Sequence, residues 1–155
     1  MMAPVQHWHN GEYAVTTDKS QMDIGAIHRY LTRSSWAAGI DYATVARSIE
    51  NSLNFGLFHH QQQIGFARFI TDYATFAYLC DVYVLEECQG KGLGGWLIEC
   101  CQSHPVVNTL RRLLLFTSTA PWLYQKFGYQ PVNKPDYAWT ITRPDIYQAN
   151  RDAQT

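Results

Sequence analysis

Between Val84 and Cys101 the chain reads VLEECQGKGLGGWLIECC. Four glycines, Gly90, Gly92, Gly94 and Gly95, fall within six residues around Lys91. Leu93, Trp96, Leu97 and Cys100 then recur at i, i+3, i+4 and i+7, the spacing of one helix face. The stretch therefore reads as a strand end, a glycine-rich turn and an amphipathic helix. A helix start leaves backbone N–H groups unpaired and carries the positive end of the dipole. Glycines there let a ligand approach bare backbone. The ligand this arrangement suits is an anion, most simply a phosphate.

Three phosphate-binding patterns compete for the turn. The P-loop pattern GxxxxGK[ST] fails, because Gly92 follows Lys91 where Ser or Thr is required. The dinucleotide pattern GxGxxG matches at Gly90, Gly92 and Gly95, but in the wrong context. The preceding strand belongs to antiparallel hairpins, and the next strand, LLLFT at 113–117, does not end in an acid that would hold a ribose. The third pattern, Q/R-x-x-G-x-G/A after a strand, is met by Gln89, Gly92 and Gly94. It resembles the acyl-CoA turn of the GNAT superfamily of N-acetyltransferases. A turn without a ligand is the remaining reading.

The elements that must position this turn follow from periodicity and punctuation. Residues 1–10 read as a loose leader, and EYAVTT (12–17) as a first strand. Asp18 or Ser20 caps a helix over 21–32 with Met22, Ile24, Ile27 and Leu31 apolar. Asp41 caps a second helix over 42–52. Strands follow at 53–60, 64–71 and 74–85, joined by short polar turns. The helix after the glycines runs over 92–103, and Pro105 forbids its continuation. LRRLLLFT (110–117) reads as a buried strand. Pro121 and Gly128 bracket a short helix over 120–127. YQPV and YAWTITR (137–143) read as the last strands, and the tail from Pro144 as frayed. The order β-α-α-β-β-β-α-β-α-β implies a mixed α/β or α+β domain, one domain over 1–155. It is also the order of the GNAT fold, a largely antiparallel mixed sheet flanked by helices.

The resemblance extends from about residue 12 to 143 and includes a second signature. APWLYQKFGY (120–129) is similar to the family's A-x-x-x-Y-x-x-x-G-F, with Ala120, Tyr124, Gly128 and Tyr129 in register. In the family this tyrosine is often the general acid, which makes Tyr124 the candidate. A phenol suits protonation of a leaving thiolate, because the two pKa values are close. Packing under the short helix is the other reading of Tyr124. The resemblance further implies that the backbone of Val82, Tyr83 and Val84 pairs with the pantetheine arm like a strand edge. It implies that Gln89 and the amides of Gly90, Lys91, Gly92, Leu93, Gly94 and Gly95 hold the pyrophosphate. Lys91 either adds charge there or is a solvated turn lysine.

Two positions depart from the family pattern. Where many members carry Asn before the tyrosine helix, this chain has Thr117-Ser118-Thr119, with Thr117 as the candidate substitute. Where many place a Glu base before the glycine turn, the available acid is Asp81. Alternation puts Asp81 on one face with Leu79 and Tyr83. It is either a base acting through water or a structural carboxylate bonded to a nearby loop. The acceptor would lie against Trp36, Asp72, Tyr73 and Phe76, which suit a small amine with an apolar part.

Composition narrows the partners. At 155 residues and net charge −1, without a basic block, the chain is a poor match for nucleic acid. No apolar run is long enough to span a membrane, and no signal peptide precedes the first strand, so the expected location is cytoplasmic. The four cysteines form no C-x-x-C pair and the six histidines no HExxH, so no metal centre is expected. A homodimer is possible. The function these readings support is transfer of an acetyl group from acetyl-CoA to a primary amine of a small molecule or amino acid. Two alternatives remain: an acyl-CoA-binding module without turnover, and a nucleotide-binding domain.

Overall fold

The structure is a computed structural model, and it describes residues 3–148. Six strands form one sheet in sequential order: β1 (His7–Asn10), β2 (Tyr13–Thr16), β3 (Leu53–His59), β4 (Gln62–Thr71), β5 (Phe76–Val84) and β6 (Arg112–Leu115). All neighbours are antiparallel except β5 and β6, which are parallel. The parallel pair needs a crossover, and helix α3 (Leu93–Ser103) supplies it. Helices α1 (Ile24–Leu31) and α2 (Tyr42–Glu50) cover the other face, and α4 (Pro121–Gln125) follows β6. This is the mixed, largely antiparallel α/β architecture expected.

The sheet carries a core on each face. On one side Phe55, Leu57, Phe69 and Leu79 pack against Leu97, Ile98 and Cys101 of α3. On the other, Phe66 and Tyr83 pack against Ile27 and Leu31 of α1 and Val45 and Ile49 of α2. Being covered on both faces explains why β3 is buried without a break from Leu53 to Phe58 rather than at alternate positions.

Local chemistry decides several boundaries. Asp41 caps α2 as expected, its carboxylate accepting from the Thr44 N–H at 3.2 Å and the Thr44 hydroxyl at 2.6 Å. The cap of α1 is neither Asp18 nor Ser20. Asp18 closes a 3-10 turn at Lys19–Gln21, and Asp23 accepts from the Ala26 N–H at 3.0 Å, so the helix starts at Ile24. Residues 7–10 form a strand rather than a loose leader. Gly11, at φ 59, turns β1 back onto β2, and the Asn10-Gly11 pair is a hairpin signal in the sequence itself.

The final strands expected at YQPV and 137–143 do not form. An alternating pattern becomes a strand only where an edge pairs with it, and among the described residues β6 ends the sheet. Tyr137 sits beside the start of β6, its hydroxyl accepting from Arg112 at 3.2 Å. Trp139 and Ile141 stay 85% and 82% exposed. Among the described residues no helix is long and apolar enough to cross a membrane.

Candidate active site

The site is organised by β5, which changes partners partway along. β6 pairs with Phe76, Ala77, Tyr78 and Leu79 only. Among the described residues, the strand from Cys80 to Val84 is held by β4 alone, and its other edge has no strand beside it. Val82, Tyr83 and Val84 therefore lie on a half-open strand, the geometry that can accept an extended ligand by backbone pairing. The Gln89 side-chain amide donates to the Val84 carbonyl at 2.9 Å, so Gln89 fixes the strand end rather than facing solvent freely.

A β-bulge marks the change. Phe66 pairs with Tyr83 and Arg68 with Cys80, so Ala67 faces two residues, Asp81 and Val82. Asp81 has φ 54, in the left-handed region. The extra residue breaks the alternation that placed Leu79, Asp81 and Tyr83 together. Leu79 packs in the α3-side core and Tyr83 in the α1–α2-side core, where Tyr30 stacks on its ring at 3.8 Å between centroids.

The bulge turns Asp81 into a three-way junction. Arg68 Nε and Nη2 donate to Asp81 Oδ2 at 3.0 and 2.9 Å. Trp36 Nε1, from the segment joining α1 to α2, donates to Oδ1 at 3.0 Å. Arg68 Nη1 reaches on to the Ser52 hydroxyl at 3.0 Å. Trp36 is half-exposed and lies 6.4 Å from Tyr30, giving an aromatic wall above the bulge. Sequence reasoning missed Arg68. Its signal was a lone arginine inside an apolar strand, since a buried guanidinium requires a partner.

After Val84 a 3-10 turn leads to the glycines. Gly90 and Gly92 have φ 83 and 78, and Gly92 is the N-cap of α3. Among the described residues no side chain caps this helix, so its first N–H groups are left to other partners. Gly90 and Lys91 are exposed, whereas Leu93 is buried and pins the first turn to the core. Gly94 and Gly95 carry no side chain on that turn, and Gly95 approaches Leu123 of α4.

That approach brings Tyr124 to the rim of the α3-side core, edge-on to Tyr129 at 5.9 Å. Among the described residues its hydroxyl has no hydrogen-bond partner, and burial pushes its pKa above the ordinary phenol value, so the hydroxyl keeps its proton at neutral pH. Thr117 accepts from the Ala120 N–H at 3.1 Å and shapes the approach to α4. The other candidates lie elsewhere. Asp72 spends its carboxylate on the Ala74, Thr75 and Phe76 N–H groups and the Thr75 hydroxyl, which folds the β4–β5 turn and holds its pKa well below the carboxylate range. Asp72, Tyr73 and Phe76 thus sit at the start of β5, while the glycine turn follows its end.

This arrangement has relatives. The model of the acetyltransferase (GNAT) domain matches residues 50–131, which include the bulged strand, the glycine turn and Tyr124. The chain belongs to the GNAT superfamily of acetyltransferases. A Gibberella zeae protein classed with the acetyltransferases is 32% identical over 145 residues, covering 78% of this chain and 80% of that one. The crystal structure of a protein of Xanthomonas campestris pv. campestris placed in the GNAT family is 42% identical, covers 95% of this chain and 99% of that one, and superposes with a TM-score of 0.83. An acetyltransferase structure from Clostridium acetobutylicum, determined with acetyl-CoA, covers 90% of this chain and 96% of that one with a TM-score of 0.62. At 15% identity it speaks to the fold alone. As a GNAT acetyltransferase, the protein is an acetyl-CoA-dependent acyltransferase.

Proposed function

We propose that the protein acetylates a primary amine of a small molecule, by direct attack of the amine on acetyl-CoA with Tyr124 as general acid. One observation carries this reading. The strand edge freed beyond Leu79 leads, through one 3-10 turn, to a helix start that no described side chain caps. An extended arm ending in phosphates fits that sequence of groups. Val82, Tyr83 and Val84 would hold the arm. The amides from Gly90 to Gly95 would hold the pyrophosphate, with Lys91 adding charge at the exposed turn.

The thioester of acetyl-CoA arrives already activated, so the protein's work is orientation and proton transfer. Tyr124, protonated and half-buried at the rim, supplies the proton for the departing thiolate. Asp81 fixes Trp36 through Oδ1, and the remaining lone pair on that oxygen can take the amine proton through a water. The aromatic wall of Trp36 and Tyr30 favours an acceptor with an apolar part. Asp72, Tyr73 and Phe76 serve the turn that starts β5.

Thermal shift with acetyl-CoA, NAD and ATP in parallel tests the donor. At about 100 times its dissociation constant a ligand adds roughly 2.7 kcal/mol of stability. A rise with acetyl-CoA alone is expected, and no rise with acetyl-CoA sinks the reading. Thiol release across an amine panel then tests turnover. Tyr124→Phe should lower kcat by about 10²–10³ while leaving the acetyl-CoA shift intact. Binding without release from any amine would instead favour a module that holds acyl-CoA without turnover.

We also infer self-association through the exposed 137–143 stretch beside the end of the sheet. Trp139 at 85% and Ile141 at 82% exposure are costly to leave in water. Light scattering after size exclusion should give the mass of a dimer, with Trp139→Ser shifting it toward the monomer. A wild-type monomer at tens of micromolar removes this inference.

A further inference from the structure

Away from the acetyl-transfer site, two hairpin tips are tied together. Gly11 and Glu12 join β1 to β2, and His60 and Gln61 join β3 to β4. The His60 N–H donates to the Glu12 carbonyl at 3.4 Å, linking one tip to the other. His60 has φ 55, a left-handed conformation at which glycine is the ordinary choice. Successive strand residues point to opposite faces. The left-handed turn instead brings the His59 and His60 rings to 4.4 Å between centroids. His59 is held further by Tyr13, stacked at 4.8 Å.

The side chains converge on one point. His59 Nε2 lies 3.1 Å from Glu12 Oε2. One donor atom from each of Glu12, His59 and His60 lies within 4.8 Å of the other two. Two imidazoles and a carboxylate are a donor set for a borderline-soft divalent ion such as Zn²⁺, and a poor one for Mg²⁺ or Ca²⁺. Metal–ligand bonds of about 2.0–2.2 Å in a tetrahedron place neighbouring donors about 3.3 Å apart, so the Glu12–His59 pair already has the needed spacing. His60 is exposed and closes the triangle by side-chain rotation.

We propose that Glu12, His59 and His60 form a surface site for a divalent transition-metal ion of the zinc class. Three protein ligands leave one coordination position for water or for a donor from another molecule. An ion held there bridges the β1–β2 and β3–β4 hairpins, so binding stabilises the sheet at that end. No sequence motif marks the site, because its ligands come from two hairpins, with Glu12 and His59 47 positions apart.

The test is isothermal titration of the full chain, stripped by chelator, with ZnCl₂ and in parallel MgCl₂, followed by thermal shift. The expected result is one saturable Zn²⁺ site, no Mg²⁺ binding, and a melting temperature raised by several degrees with Zn²⁺. His59→Ala and Glu12→Gln should each weaken Zn²⁺ binding at least tenfold. His60→Gly should do the same without lowering the metal-free melting temperature, since glycine suits φ 55. The double variant His7→Ala/His9→Ala, which removes the exposed histidines of β1, should bind as the wild type does. Absence of saturable Zn²⁺ binding overturns the proposal and leaves the Glu12–His59 contact an ordinary surface ion pair. Binding that survives His60→Gly and His59→Ala, or that is lost with His7 and His9, also overturns it.

Discussion

The first half of β5, Phe76–Leu79, lies between β4 and β6 and has a neighbouring strand on each side. The second half, Cys80–Val84, has β4 alone among the described residues. The residues of both halves are mostly apolar, with two aromatics, Phe76 and Tyr78, in the first and one, Tyr83, in the second; Asp81 is the charged exception. What separates them is the bulge at Asp81. It costs a left-handed carboxylate residue and a broken ladder, and it is held by an ion pair drawn from β4 and an indole drawn from the α1–α2 segment. The closed half serves the core. The open half gives up half its strand pairing, and a free edge is what an extended ligand needs. Strain and lost pairing gathered at one point, with compensation around it, mark a place kept for use rather than for stability.

Breaking the junction is the largest perturbation of this contrast. The Arg68 and Asp81 side chains are only 13% and 10% exposed, and removing one partner of such a pair strands the other charge. Arg68→Met should destabilise the protein by about 3–5 kcal/mol in urea unfolding. Asp81→Asn is the gentler probe. Asn tolerates a positive φ and can still accept from Trp36, so it removes the charge and keeps the shape. If Asp81 works as a base, kcat/KM with the acceptor should fall by about 10²–10³, well beyond any loss of stability. A fall in stability with kcat/KM unchanged would make Asp81 purely structural, and the bulge would be a device for positioning Trp36.

A smaller change sharpens the contrast from the other end of the open half. Gly92 sits at φ 78, ψ 9, and a Cβ there would meet nothing within 4 Å. Gly92→Ala is therefore opposed by backbone conformation alone, about 1–2 kcal/mol. It should lower stability by that amount and weaken the acetyl-CoA thermal shift, because relaxing the turn moves the amides of α3. Full retention of the shift would mean that the turn does not bind the donor through its backbone.

The glycine turn and the short helix that carries Tyr124 were legible because both are short-range patterns, and the elements from β2 to α4 because they are well punctuated, whereas β1 was missed. Asp81 was seen and misplaced, because alternation has no means of signalling an inserted residue. The junction joins Trp36, Arg68 and Asp81 across 45 positions, so no local pattern could assemble it. The 137–143 stretch shows the converse. Its alternation is as regular as that of a true strand, yet pairing depends on an edge that lies elsewhere in the chain.

The smallest expected effect concerns the closed half and its core. His104 ends α3 and is 1% exposed, edge-on to Phe55 at 5.8 Å. Phe55 in turn meets Phe69, which pairs with Leu79. The His104 Nδ1 accepts from the Val106 N–H at 3.1 Å, which puts the proton on Nε2, and that nitrogen has no partner. Burial lowers the imidazole pKa below its ordinary value of 6.5. The unfolded chain therefore takes up a proton as pH falls through 6.5, while the folded chain does so only at lower pH. Unfolding is favoured by that difference, so stability is fully present above 6.5 and declines as pH drops toward the folded value. His104→Asn keeps an acceptor for Val106 and removes the titration. Urea unfolding of both proteins from pH 7.5 to 5 should give a shallower loss for the variant. Parallel slopes would mean that the imidazole charges equally well in both states, and the closed half would then be more open to water than its packing implies.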